Sequence, residues 1–277
     1  MSADRIIDEI ILNALKEDMP MGDITTDNII DEKEISRAHF IAKDNGVIAG
    51  IEIVKCVFQM LDENIVFHKE MKDGTYVTEK EIILEFEGNT RALLKGERTA
   101  LNIFQRMSGI ATRTANFCKL VEGSKAKVVD TRKTTPGLRY IEKYAVRAGG
   151  GQNHRFCLSD GVMIKDNHIK AAGSIMNAVS KIRNSIPHTI KIEVETENFD
   201  MVNEALEAKA DIIMLDNMSI DDMKEAVNMI NGRALVEASG DINEETICAV
   251  AQTGVDLISI GRITHSVKSL DISMRFI

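Results

Sequence analysis

The second half of the chain repeats a short apolar segment that ends in a polar or small residue. The later segments end every 21 to 23 residues, at Glu195, Asp216, Ser239 and Gly261. Helical patterns with capping signals lie between them, since Ser219 stands three residues before Asp222 and Asn243 precedes EETICAVAQ. A strand followed by a helical crossover at a constant interval gives parallel strands. We therefore predict an α/β fold built on a parallel sheet.

Six of these segments are predicted strands, and their carboxyl ends are where a ligand site is expected. They are KVVD (127–130), VMIK (162–165), IKIEVE (190–195), DIIMLD (211–216), ALVEAS (234–239) and DLISIG (256–261). In parallel α/β barrels and open sheets, ligands bind at the carboxyl ends of the strands. We expect Asp130, Lys165, Glu195, Asp216 and Ser239 to converge on one rim.

The segment IKIEVE carries its charge on one face of the strand. Alternation places Glu193 and Glu195 on the face opposite Ile192 and Val194. Charged side chains inside a barrel are costly unless they are paired, so both glutamates need cationic partners or a ligand. Interior salt bridges alone would also satisfy them, but charged ends on several strands favour a ligand site.

The first part of the chain has a mixed pattern. Helices are predicted over 6–16, over 51–61 and from residue 98 to 121, the last with a bend near Ser108 and Gly109. Strands are predicted over 38–42, 65–67 and 81–86, and GDITTDN is interpreted as a turn-rich segment. We place the domain boundary near the predicted bend.

Charge is distributed unevenly along the chain. The window 130–170 holds eight Lys or Arg against four Asp or Glu, a formal charge of +4 in a chain that carries −9. Acidity argues against binding of nucleic acid or a membrane surface, whereas a local cationic cluster beside a triple glycine suits a small, highly anionic ligand. A solvated loop with incidental charges is the alternative.

The bulk composition and the cysteines point to a cellular location. Four widely spaced cysteines form no CxxC or metal-ligand pattern, and no apolar run approaches the roughly 18 residues that span a bilayer. The N-terminus is an acidic amphipathic helix pattern without the apolar core of a signal peptide. We expect a cytoplasmic protein.

A series of longer motifs carries a resemblance to a known family. These motifs are TRKTTPGLR, GGGQNHR, DGVMIKDNH, IEVE, DIIMLDN, EASG and SIGRITHS, preceded by GDITTD and ERTALNIFQRMSGIAT. In this order they closely resemble the quinolinate phosphoribosyltransferases, also called nicotinate-nucleotide pyrophosphorylases (carboxylating). The resemblance implies an N-terminal α/β sandwich domain over 1–108 and an open, incomplete parallel α/β barrel of the type II phosphoribosyltransferase kind over 109–265. It also implies that 266–277 packs back on the first domain.

The resemblance further implies a reaction and its partners. Quinolinate would react with phosphoribosyl pyrophosphate (PRPP) and magnesium to give nicotinate mononucleotide, pyrophosphate and carbon dioxide, on the de novo route to NAD. The enzyme would be a homodimer in which Arg98 completes the neighbour's site. Magnesium would be held mainly through PRPP, with Glu195 and Asp216 as candidate ligands.

The same resemblance implies roles for residues of the site. Lys133, Lys165, Glu195 and Asp216 are the expected catalytic residues. The expected quinolinate-binding residues are Arg98, Thr131, Arg132, Lys133, His154, Arg155 and Lys165. The expected PRPP-binding and phosphate-binding residues are Glu195, Asp216, Ser239, Gly240, Asp241, Ser259, Ile260, Gly261 and His265. The acidic pair has three open roles, which are to stabilise a cationic ribose C1, to hold ribose hydroxyls, or to hold magnesium with its waters.

Several points stay open at the level of sequence. Glu193 is the alternative to Glu195, which is preferred because its 21-residue distance to Asp216 matches the family spacing. Cys157 and Arg262 depart from the family pattern. The competing interpretations are a phosphoribosyltransferase with another acceptor, such as nicotinate or the unknown substrate of the family's molybdenum-linked relatives, and a non-catalytic pyridine-nucleotide sensor.

Overall fold

The structure, a computed structural model, describes residues 3–277. Within this range the chain forms two compact units, the first made of residues up to 115 with 134–150 and 263–277, the second of 116–133 and 151–262. This division differs from the predicted boundaries at 108 and 265, because 109–115 and 134–150 group with the first unit. The first two residues of the domain predicted over 1–108 lie outside the described residues.

The first unit is built on an antiparallel sheet of four strands within the described chain, in the order β12-β1-β5-β3. The strands are β1 (Ile35–Ala42), β3 (Val66–Glu70), β5 (Ile82–Asn89) and β12 (Ile272–Phe276), and β2 (Gly46–Val47) pairs separately with β4 (Tyr76–Val77). The C-terminal strand β12 pairs with β1, with Met274 opposite Phe40. Phe40 packs with Phe58 and Phe86 in a buried aromatic cluster, with ring centroids 4.8 Å apart for the pair Phe58–Phe86.

The first unit also contains helices, and two of them, α2 (Ile24–Ile29) and α5 (Arg139–Ala148), were not predicted. The other helices that lie wholly in the first unit are α1 (Ala3–Asp18) and α3 (Ile51–Gln59). The turn-rich interpretation of GDITTDN is wrong, because Asp23 caps α2 by accepting hydrogen bonds from the backbone N–H groups of Thr25 and Thr26. Aspartate at an N-cap and aspartate in a turn give the same sequence signal.

The long helix α4 (Thr90–Leu120) begins eight residues before its predicted start at residue 98. Asn89 explains the earlier start, since its side-chain oxygen accepts the N–H of Ala92. The helix is continuous through Ser108 and Gly109, where a bend was predicted. A Cβ on Gly109 would lie 2.3 Å from the carbonyl oxygen of Lys268, so the glycine permits close backbone packing.

The second unit is a parallel sheet of six strands within the described residues, in the order β6-β11-β10-β9-β8-β7. The strands are β6 (Lys127–Val129), β7 (Val162–Ile164), β8 (Ile192–Thr196), β9 (Ile212–Asp216), β10 (Leu235–Ser239) and β11 (Leu257–Ser259). The crossovers between them contain α6 (Asp166–Ala172), α7 (Ile175–Arg183), α8 (Phe199–Glu207), α9 (Ile220–Ile230) and α10 (Ile247–Gln252), and α11 (Arg262–His265) follows the last strand. Because the first strand pairs with the last, the sheet curls into an incomplete barrel, as predicted.

The barrel is open between its two edge strands, β6 and β7. The chain partly fills this seam itself, since Gln152 forms a bridge with Val129 and its N–H donates to the carbonyl of Val128 at 2.9 Å. We call residues 151–155 the seam segment. Among residues 3–277, none of the helices has the length and apolarity that a bilayer crossing demands.

Candidate active site at the barrel rim

Lys165 and Glu195 form an ion pair at the carboxyl ends of adjacent strands. Lys165 directly follows β7, and its Nζ contacts Oε2 of Glu195 on β8. The glutamate side chain is 14% exposed and the lysine side chain 44%, so the carboxylate is anchored in the barrel while the ammonium reaches outward. A paired, partly desolvated lysine is a suitable point charge for an anionic ligand.

Asp216 and Ser239 occupy the next two strand ends. They are register partners, the last residues of β9 and β10 respectively. The side-chain amide of Asn217 donates to Oδ2 of Asp216 at 2.8 Å, and the backbone N–H of Asn217 donates to the carbonyl of Ser239 at 3.0 Å. Gly240 follows with φ of +96°, and a Cβ there would lie 2.3 Å from Oδ1 of Asn217. This end of the sheet therefore requires a glycine after the serine.

The last strand contributes small residues to the same rim. Ser259 and Ile260 are buried, and the N–H of Ile260 donates to the carbonyl of Val129 at 3.0 Å, which fixes the end of β11 against β6. Arg262 begins α11 directly after Gly261, and its Nη2 lies 3.8 Å from Oδ1 of Asp241. The unexpected cation thus faces an exposed aspartate of the neighbouring strand end.

The residues that follow β6 complete the rim. Thr131 is half-buried and its hydroxyl accepts the backbone N–H of Lys133 at 3.0 Å. Arg132 and Lys133 are exposed. The strand end thus presents two cations in succession, in keeping with the local positive charge of the sequence.

The seam segment is clamped by Asp130, a buried carboxylate at the end of β6. Its Oδ1 accepts the backbone N–H of His154 at 2.8 Å, and its Oδ2 accepts the side-chain amide of Asn153 at 2.6 Å. A buried aspartate that is satisfied by these donors positions the segment rather than a ligand.

The ring of His154 enters the barrel interior below the rim. Its Nε2 lies 3.0 Å from Oε2 of Glu193 and 3.6 Å from Oε2 of Glu237. Its Nδ1 accepts the backbone N–H of Arg155 at 2.7 Å. Burial raises the pKa of Glu237 to about 7, and the like charge of Glu193 contributes to the shift.

These three residues line a cavity of about 410 Å³. Val162 and Ile212 at the starts of β7 and β9 also line it, as does Val129 at the end of β6, so the cavity lies in the barrel interior below the rim. Arg155 lines the same cavity and donates from Nη1 to the carbonyl of Gly161 at 2.9 Å. Burial lowers the pKa of the Arg155 guanidinium, and the nearby charge of Arg132 lowers it further.

The predicted site residues thus fall into three groups. Lys165, Glu195, Asp216, Ser239, Gly240, Asp241, Ser259, Ile260 and Gly261 lie at or directly after strand ends, with Thr131, Arg132 and Lys133 after β6. His154 and Arg155 line the interior cavity. Arg98 is exposed on α4 and His265 is exposed with its Nδ1 2.7 Å from the Ser266 hydroxyl, and both belong to the first unit.

The structure adds detail on one glycine of the GGG segment and on two acidic residues of the barrel interior. Gly149 packs closely on α4, because a Cβ there would lie 2.3 Å from the carbonyl oxygen of Ala111. Glu193 was set aside in favour of Glu195, and Glu237 was not considered. The signal for Glu237 was its position two residues before Ser239, on the same face of β10.

Comparisons with known proteins agree in their result. Family models of quinolinate phosphoribosyl transferase match the chain, the N-terminal domain over residues 23–108 and the C-terminal domain over 110–275. The chain is 49% identical over 260 residues to a probable nicotinate-nucleotide pyrophosphorylase (carboxylating) of Bacillus subtilis, covering 93% of this chain and 89% of that protein. A similar protein of Synechocystis is 43% identical over 275 residues, covering 98% and 93% respectively. The crystal structure of NadC from Streptococcus pyogenes superimposes with a TM-score of 0.95 at 43% identity, covering 99% of this chain and 97% of that one.

Proposed function

The chain belongs to the quinolinate phosphoribosyltransferase family, and we propose that it transfers the phosphoribosyl group of PRPP to quinolinate with loss of carbon dioxide. The products are nicotinate mononucleotide, pyrophosphate and carbon dioxide, in the biosynthesis of NAD. The observation that carries the proposal is the rim of adjacent strand ends, with Lys165 paired to Glu195 and Asp216 in register with Ser239.

Charge neutralisation is the first task of such a site. Quinolinate carries two adjacent carboxylates, and PRPP carries a pyrophosphate and a 5-phosphate. Lys133 and Lys165 would balance these charges as mobile cations, whereas Arg132 and Arg155 would clamp carboxylates through two parallel N–H bonds. The small residues at the ends of β10 and β11 would leave backbone N–H groups free to receive a phosphate.

The transfer step needs no covalent enzyme intermediate. The pyridine nitrogen forms a bond to C1 of the ribose with its lone pair, and the bond from C1 to pyrophosphate breaks with its electron pair on the leaving oxygen. Positive charge develops at C1, and a carboxylate at the rim, Glu195 or Asp216, stabilises it by the logic of glycoside hydrolysis. The enzyme's contribution is positioning together with a preorganised field.

Decarboxylation follows on the new pyridinium. The bond from C2 to its carboxylate breaks, carbon dioxide leaves, and the electron pair stays on C2 beside the positive nitrogen until a proton replaces it. The clamp on both carboxylates would orient the ring for the first step. A monoacid such as nicotinate would leave part of the clamp unpaired, which favours quinolinate as the acceptor.

Magnesium belongs to the proposal as a partner of PRPP. When bound, it would neutralise charge on the pyrophosphate. The rim offers the oxygen donors that this ion prefers, and because Glu195 is already paired with Lys165, Asp216 is the better candidate to hold magnesium through its waters.

A homodimer and a cytoplasmic location are also proposed. Arg98 is exposed on α4, as required of a residue that completes the site of a neighbouring subunit. Cys56, Cys118, Cys157 and Cys248 form no disulfide within residues 3–277, which is typical of a reducing compartment.

The direct test is to incubate the purified protein with quinolinate, PRPP and magnesium and to follow nicotinate mononucleotide and carbon dioxide. Nicotinate serves as a parallel acceptor. We expect product from quinolinate alone. Product from nicotinate alone would keep the phosphoribosyl chemistry and overturn the substrate, and no product from a folded protein would favour a pyridine-nucleotide sensor.

A further inference from the structure

Two acidic side chains in the barrel interior lie outside the mechanism above. Glu193 on β8 and Glu237 on β10 are 2% and 0% exposed. Oε1 of Glu193 is buried without a hydrogen-bond partner in the described residues, and the carboxylate of Glu237 is buried beside the Ser259 hydroxyl. Two carboxylates in such a place are costly, so they require a compensating role.

Both carboxylates converge on the ring of His154, which enters from the seam segment. Possible ligand atoms of the three side chains lie within 4.8 Å of one another. This composition would suit a divalent cation, but the hydrogen bonds of the ring argue against one. A histidine that ligates a metal through one nitrogen normally donates a proton from the other, whereas Nδ1 of His154 accepts the N–H of Arg155.

The same hydrogen bond assigns the proton of the ring. Because Nδ1 is an acceptor, the proton of the neutral imidazole lies on Nε2, which donates to Oε2 of Glu193 at 3.0 Å. The ring therefore connects the barrel interior to the backbone of Arg155. Asp130 holds the same segment from the other side through the N–H of His154.

We propose that Glu193 is a positioning residue for the acceptor side of the site, acting through His154. It fixes the ring inside the open seam, and the ring in turn fixes the backbone that carries Arg155. This inference rests on the proposed function, in which Arg155 binds a quinolinate carboxylate. It differs from the role expected of His154 itself, since the ring's two nitrogens already serve Glu193 and Arg155.

Position along the strands supports a separate role for Glu193 and Glu195. Glu195 lies at the rim beside Lys165, whereas Glu193 lies one pleat repeat deeper and lines the cavity. Glu237 likewise lies two residues below Ser239 and lines that cavity. The two glutamates thus form a layer beneath the rim, below the strand ends that are proposed to meet PRPP.

A kinetic comparison separates a loss of acceptor positioning from a general loss of structure. Glu193→Leu removes the acceptor of the Nε2 proton, and we expect the quinolinate KM to rise about tenfold while the PRPP KM stays within about twofold. Glu193→Gln keeps an acceptor oxygen and should recover most of the loss. Glu225→Leu, at an exposed position of α9, is the matched control and should behave as the unmodified protein. A quinolinate KM that is unchanged in Glu193→Leu, or that rises together with the PRPP KM, would overturn the proposal.

A second measurement does not depend on turnover. The ring of His154 is examined by ¹⁵N NMR in the substrate-free protein, with His154→Asn used to assign its signals. We expect a protonated Nε2 and an unprotonated Nδ1, with no metal retained after exposure to zinc or manganese and desalting. The opposite tautomer, or one metal ion retained per chain and lost in Glu193→Leu, would replace the positioning role with a metal site. If the unmodified protein gave no product while the expected tautomer was observed, the proposed function would fail and the interior network would stand.

Discussion

At the scale of single residues, the ion pair between Lys165 and Glu195 joins two strand ends at the rim. Each of the two side chains depends on the other to hold its position toward the substrates. Removal of either one leaves the partly buried charge of the other without its counter-ion. We expect Lys165→Ala and Glu195→Ala each to lower kcat/KM by about 100-fold or more, as for other groups that stabilise transition-state charge. Steady-state kinetics on folded protein measures this.

Lys170→Ala is the control for the loss of a cation near the rim. Lys170 lies on α6, five residues after Lys165, and its exposed ammonium pairs with Asp166 at 3.3 Å. Surface pairs of this kind contribute little, so activity should be retained. Near-normal rates in Lys165→Ala, or an equal loss in Lys170→Ala, would contradict the assigned role.

The raised pKa of Glu237 predicts a pH dependence of stability. Because its pKa is about 7 in the folded protein against 4.5 ordinarily, the folded state binds more protons between these values. The stabilisation associated with the neutral form is complete below the ordinary pKa and is lost as pH rises through the folded pKa. Glu237→Gln, which cannot ionise, should remove this component, on the order of 2–3 kcal/mol between about pH 5 and about pH 8.

Urea unfolding at the two pH values tests the sign of this effect. Relative to Glu237→Gln, the unmodified protein should lose free energy of unfolding as pH rises. Parallel pH profiles of the two proteins would mean that Glu237 is charged throughout, with a cation or a donor beside it.

At this scale, the correct predictions follow from the alternation of side chains between the two faces of a strand. Alternation correctly placed Glu193 and Glu195 on the inner face, and the repeat located Lys165, Asp216 and Ser239 at strand ends. It did not indicate how deep in the barrel each side chain lies, which depends on the stagger of the strands. Nor did it link Glu237 to His154, because a contact between residues 83 positions apart has no local signal.

At the scale of elements, the turn after β10 depends on Gly240, which lies close to the side chain of Asn217. Gly240→Ala combines a positive φ of +96° with a Cβ 2.3 Å from Asn217. Gly232→Ala has a similar φ of +73° but nothing within 4 Å, so it isolates the backbone strain. We expect Gly232→Ala to cost about 1 kcal/mol. Gly240→Ala should cost about 1–3 kcal/mol more and raise the PRPP KM, since the displaced Asn217 also holds Asp216.

Thermal unfolding and PRPP kinetics on both variants measure the two effects separately. An equal loss of stability in the two variants would show that strain alone matters at Gly240. A normal PRPP KM in a folded Gly240→Ala protein would argue against phosphate binding by backbone N–H groups at this turn.

Elements were predictable where periodicity is strong, and the start of α9 was predictable because Ser219 caps it locally. The six barrel strands follow from a repeat of apolar segments, whereas α2 was missed because Asp23 is equally suited to a turn. The bend expected near Gly109 stays a prediction, and the helix continues through this glycine, against which the backbone of Lys268 lies.

At the scale of the whole molecule, the incomplete barrel leaves strand edges open, and another segment of the same chain covers part of one edge. A sheet open between β6 and β7 exposes strand edges, and the seam segment covers part of β6 through Gln152. The seam segment also carries His154 and Arg155, so under the proposed function stability and acceptor binding would be linked in one stretch of chain. The sequence predicted an open barrel only through family resemblance, because strand count and period do not reveal where a sheet fails to close.

Sharing of sites between subunits is the last testable consequence. If Arg98 completes the neighbour's site, Arg98→Ala and Lys165→Ala should each be inactive alone. In mixed dimers, one of the two sites would combine Arg98 from the Lys165→Ala chain with Lys165 from the Arg98→Ala chain. Random reassociation of equal amounts should then restore about a quarter of the normal activity, because about half of the dimers are mixed and each has one intact site. Activity is measured after mild denaturation, mixing and refolding, with each variant refolded alone as the control. No recovery, despite mixed dimers detected by mass spectrometry, would place Arg98 in the site of its own chain.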